Sequence, residues 1–106
     1  MKFDINETLF QMLGAIKQTV GENWPEVKSA MNDFFQGRRT RLELLADFRI
    51  KNQITEVEFQ SRLVDEKLLL NSELHVIAII SKAVAQKAAN AAIDILNKAV
   101  KALIPF

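Results

Sequence analysis

The chain contains no cysteine. That excludes a disulfide framework and thiol chemistry, and it fits the cytoplasm. Glycine and proline are scarce, at three and two in 106 residues, and so few turn formers argue against a β-rich fold. Lys82 interrupts the longest apolar stretch, well short of the roughly 18 residues a membrane-spanning helix needs. The opening residues Met1, Lys2, Phe3 and Asp4 form no apolar h-region of a signal peptide, so a cytoplasmic protein is expected. An excess of charge of one sign is missing too. A net charge of +1 gives no field that draws in nucleic acid or an acidic partner.

Motifs that carry chemistry are equally scarce. His75 is the only histidine, and it follows Glu73 by two residues, which puts the two on different faces of a helix. No Glu-x-x-His occurs, although helical bundles hold paired metal ions with that motif. There is no Gly-rich phosphate loop, and His75 lacks an evident Ser or Asp partner for nucleophilic catalysis. The expectation is a non-enzymatic protein with no catalytic residue, metal ligand or cofactor.

What the chain does contain is helical periodicity. Its 49% hydrophobic content fits a globular chain, and 106 residues suit one domain with a modest core. Asp4 followed by Glu7 reads as a helix start, and Leu9, Phe10, Leu13, Ile16 and Val20 then keep helical spacing to Gly21. A second helix begins near Pro25, which is tolerated in a first turn, with Trp24 as an apolar anchor. Val27, Met31, Phe34, Phe35, Leu42, Leu45 and Phe48 form its apolar face. Thr55 and Glu58 make a capping-box pattern, flanked by Ile54 and Phe59 as a hydrophobic staple. From Thr55 the pattern has no Gly or Pro until Pro105. Asn71 and Ser72 are the one place where a new helix could be capped, and Leu68, Leu69, Leu70 and Leu74 carry helix propensity across it. The spacing therefore predicts an all-α protomer with helices over about 5–20, 25–50 and 55–104, the last roughly 70 Å long. The second and third helices form an antiparallel hairpin about the short 51–54 connection.

Two features of that hairpin suggest specific contacts. On the third helix Phe59, Leu63, Glu66, Leu70, Leu74 and Ile77 share a face, and Glu66 is its polar intruder. Arg38 is the intruder in the facing stripe, and Arg41 lies level with Glu66. An ion pair from Glu66 to Arg38 or Arg41 satisfies both. The Arg38, Arg39 and Arg41 cluster is short and has Glu43 and Asp47 beside it, so it reads as a salt-bridged face and not as a nucleic-acid patch.

The C-terminal half carries a heptad-spaced seam of mostly small residues: Ala78, Ser81, Ala85, Ala88, Ala92, Ile95, Ala99 and Ala102. Ile77, Val84, Ile93, Leu96, Val100 and Leu103 run beside it. If the third helix is unbroken, the second is too short to cover both strips. The seam is then the interface of a homo-oligomer, a dimer first, and the function is helix–helix association. One alternative is a peripheral membrane-surface protein using the basic face of residues 82–101, with Lys87, Lys98 and Lys101. A small metal-binding helical bundle is the other.

Overall fold

Three of the helices described begin where a side-chain oxygen meets backbone N–H groups that have no partner inside the helix, and the one that starts at Trp24 begins instead with Pro25 in its first turn. The computed structural model describes residues 3–77 and 79–104. Its elements are α1 (Ile5–Val20), a 3₁₀ turn (Gly21–Asn23), α2 (Trp24–Ile50), α3 (Glu56–His75) and α4 (Lys82–Lys101), with no strand among the described residues. Asp4 caps α1 by accepting from the Glu7 N–H at 3.1 Å. Thr55 Oγ1 accepts from the Glu58 N–H at 3.1 Å, and the Thr55 N–H donates back to Glu58 Oε1 at 3.0 Å. This reciprocal pair fixes the start of α3. Gly21 ends α1 with φ 61° and ψ −126°, a region closed to side chains with a Cβ. Asn52 takes φ 61° in the turn after α2, a conformation asparagine tolerates better than most residues.

The expected single helix over 55–104 is not formed. The chain leaves the helix at Val76 and re-enters it at Lys82, so the described residues form four α-helices. The break lies after His75 and not at Asn71 and Ser72, which remain inside α3. Ser81 makes the new start possible: with φ −69° and ψ 158° it is extended, and its hydroxyl accepts from the Val84 N–H at 3.2 Å. Val76, Ile77, Ile79 and Ile80 are β-branched and hold a helix less firmly than their leucine-rich predecessors. Reversal is then driven by burial. A straight helix leaves the apolar face of α4 in water, and folding back covers Ala85, Ala88, Ala89, Ala92, Leu96 and Val100 completely.

Contacts between side chains fix the directions. Arg39 Nε donates to Asn6 Oδ1 at 3.0 Å, Arg49 stands 3.6 Å from Glu56, and Gln60 Nε2 donates to Asn97 Oδ1 at 3.1 Å. The first joins the start of α1 to the middle of the longer α2, and the other two join the start of α3 to the ends of α2 and α4, so consecutive helices run antiparallel. α4 closes the ring by packing on α1, the most extensive helix–helix contact, and α2 and α4 lie across from each other. The core is one cluster fed by all four helices, with Met12, Ile16, Met31, Leu42, Phe59, Leu70, Leu74 and Leu96 fully enclosed. The long axis is 42 Å, about the length that 27 residues of α2 give at 1.5 Å per residue.

Candidate interaction surface

The middle of the C-terminal seam is buried inside the protomer. Ala85, Ala88 and Ala92 are fully buried in their own chain, where their small side chains let α1 approach α4 closely. In the closed protomer they are therefore covered by the chain's own helices. Ser81 is exposed and caps α4, Ile95 and Ala99 are partly buried, and Ala102 is exposed just past the end of the helix. Ala78 lies outside the described residues. The exposed lysines of α4 remain on its outer side, with Lys98 bonded to Asp94 at 2.9 Å.

Glu66 is buried between two arginines of α2. Arg38 donates to it twice, Nε to Oε2 and Nη2 to Oε1, both at 2.6 Å. Arg41 Nε lies 3.2 Å from Oε1. Only 5% of the Glu66 side chain is exposed, against 23% for Arg38 and 67% for Arg41. The two-pronged pairing matches a planar guanidinium to a planar carboxylate and is the stronger contact. Hydrogen bonding to Glu66 holds the Arg38 guanidinium above its usual range, and the carboxylate charge adds to this against the cost of burial. Arg38 also lies 6.0 Å from the centre of the Phe34 ring, within cation–π range. With Arg39 bonded to Asn6, all three arginines are taken up by contacts within the chain.

Above this pair α2 and α3 diverge into an open groove of about 1300 Å³. Leu44, Leu45, Phe48, Ile54 and Val57 supply its apolar lining; Arg41, Arg62, Glu58 and Asp65 supply charge of both signs. Phe48 is here instead of in the core: it is 43% exposed, at the lip of the groove. Val64, Leu68 and Leu69 extend the exposed apolar surface along α3. Of the nine large exposed hydrophobic residues among those described, six lie on α2 and α3, two in the turn after α3, and only Phe10 elsewhere. In the sequence the core stripe of α3 masks this surface. Its signal is Val57, Val64 and Leu68, which recur at helical spacing on the side of α3 opposite Phe59, Leu63 and Leu70.

Trp24 is partly buried against the core, and His75 is exposed at the last residue of α3. Among the described residues no three His, Asp or Glu side chains converge as metal ligands, and no helix is long and apolar enough to cross a membrane. No family model matches the chain, and no curated protein or solved structure does either.

Proposed function

We propose that this chain is a non-enzymatic helical interaction module of the cytoplasm, and that it works by pairing with a second copy of itself through the α2–α3 face. The observation that carries this reading is the gathering of exposed Leu44, Phe48 and Val57 around an open groove, with Val64, Leu68 and Leu69 exposed farther along α3. Contiguous exposed apolar surface is unusual on a monomer and normally marks an interface. A second copy suits the charges at the rim. Arg41 and Arg62 stand beside Glu58 and Asp65, so a two-fold axis can set cation against anion without a partner of opposite net charge. The net charge of +1 adds little repulsion between copies.

The membrane-surface and metal-binding alternatives have less behind them. A membrane-surface role needs the apolar face of α4, and that face is covered by the rest of the bundle. A metal-binding role needs converging ligands, which the described residues do not offer.

Sedimentation or light scattering across a concentration series tests the proposal. The wild-type chain is expected to dimerise, and Phe48→Glu combined with Leu68→Glu to give a folded monomer. A wild-type chain that stays monomeric throughout, with a double variant that behaves identically, ends the proposal.

A further inference from the structure

The turn between α3 and α4 is made of residues that usually fill helices and cores. Residues 76–80 read Val-Ile-Ala-Ile-Ile and include no Gly, Pro, Asn or Asp, the types that ordinarily supply turn conformations. Val76 keeps helical angles, φ −73° and ψ −14°. Val76 is 77% exposed and Ile79 50%, so the turn holds two branched apolar side chains in water. Helical spacing of apolar residues runs through it, from Leu70, Leu74 and Ile77 to Val84, Ala88 and Ala92. Beyond the turn, α4 is held mainly by α1 and α3, and the α1 and α3 of another copy offer the same contacts.

We propose that the α3–α4 turn is a hinge. Opening it joins α3 and α4 into one helix over residues 56–101, and two opened copies exchange their α4 helices. Each α4 then fills the slot of the other copy, between that copy's α1 and α3. The register follows from the pair of Gln60 and Asn97, bonded at 3.1 Å in the closed protomer. When the same pair forms between copies, the two long helices cross at the turn, with Ile77 of one copy facing Ile80 of the other. Every contact of α4 with α1 and α3 is kept in that crossing, while Val76 and Ile79 stay on its outer side. Exchange of an identical element in this way is a low-cost route to a dimer. It is separate from association through the α2–α3 face, which uses a different side of α3.

The absence of cysteine makes the test clean. Chains carrying Gln60→Cys and chains carrying Asn97→Cys are mixed while unfolded, refolded together at high concentration and treated with a short bis-maleimide. Exchange predicts a covalent dimer holding one chain of each kind. Pairing through the α2–α3 groove leaves positions 60 and 97 of different copies apart and gives no such product. A chain carrying both substitutions must close on itself, which shows that the reagent spans the distance. Ser81→Ala removes the cap of α4 from the closed form alone, and is expected to raise the dimer association constant about tenfold. Ile79→Gly penalises the continuous helix and is expected to lower it by a similar factor. If no unlike-chain product forms while the doubly substituted chain cross-links, or if Ser81→Ala lowers the melting temperature without raising that product, the turn is not a hinge.

Discussion

Glu66 depends on Arg38 more than on Arg41, because burial sets what a broken ion pair costs. With 5% of its side chain exposed, Glu66 cannot recover water if its partner is removed, and neither can Arg38 fully recover it. Glu66→Ala is expected to cost about 3 kcal/mol, the low end for a buried pair because Arg38 keeps some solvent. Arg41 is two-thirds exposed, so its coupling to Glu66 is expected to be below about 1 kcal/mol. Double-mutant cycles by urea denaturation separate the two: Glu66 with Arg38 departs clearly from additivity, and Glu66 with Arg41 barely does. Glycines give a second contrast at this scale. A Cβ on Gly14 or on Gly21 meets nothing within 4 Å, so only backbone conformation distinguishes the sites. Gly14→Ala in the interior of α1 is expected to stabilise by about 0.5–1 kcal/mol. Gly21→Ala, at φ 61° and ψ −126°, is expected to destabilise by about 1–3 kcal/mol. Denaturation midpoints moving in the same direction contradict this assignment.

Among the elements, α3 has the most clearly written start. Glu58 is held below its usual carboxylate range, first by the Thr55 backbone N–H, then by the Thr55 side chain, with a smaller contribution from Arg62. A carboxylate whose pKa is lower in the folded state than in the unfolded one stabilises the fold above the unfolded value. That contribution is lost as pH falls from about 4.5 through the folded value. Wild type and Glu58→Gln should therefore differ in urea midpoint at neutral pH and converge in acid. A gap that stays constant down the titration means that Glu58 does not stabilise the cap through its charge. The end of α3 is less strongly marked. Ser81 caps α4, yet Ser81 reads in sequence as one small residue of a seam, and Asn71 and Ser72 look like the better stop. Inside α3, Asn71 Oδ1 is buried without a hydrogen-bond partner, which shows that the helix runs through this site at some polar cost.

For the molecule as a whole, the location of the small-residue seam decides which substitutions unfold the chain and which alter its surface. Ala92 is fully buried in the bundle, where α4 meets α1. Ala92→Glu places an unpaired charge there and is expected to abolish cooperative thermal unfolding, whereas Phe48→Glu, on the open groove, leaves the melting curve close to wild type. Circular dichroism melts of the two single variants make the comparison. If Ala92→Glu melts like the wild type, α4 is not held in the bundle as described. The same difference applies to association. A closed chain that buries its seam internally presents the α2–α3 face and the exposed turn to another copy.

The sequence alone determined the features that depend on neighbours along the chain. Helix caps are local, so Asp4 with Glu7 and Thr55 with Glu58 could be read directly, and so could the all-helical class from scarce glycine and proline and from apolar spacing. Arg38 and Glu66 stood out because each is the polar member of an apolar stripe, and the structure pairs them. Only the tertiary structure decided whether residues 76–81 continue a helix or reverse it. Both backbones are open to Val76, Ile77, Ile79 and Ile80, and the choice rests on apolar area covered when α4 folds onto α1, a partner that ends far back in the sequence at Val20. That reversal consumed the seam, cut the expected span of roughly 70 Å to a 42 Å bundle, and left the exposed apolar surface on α2 and α3. A helical pattern records which side of a helix is apolar. It does not record which other helix, in the same chain or another, will cover it.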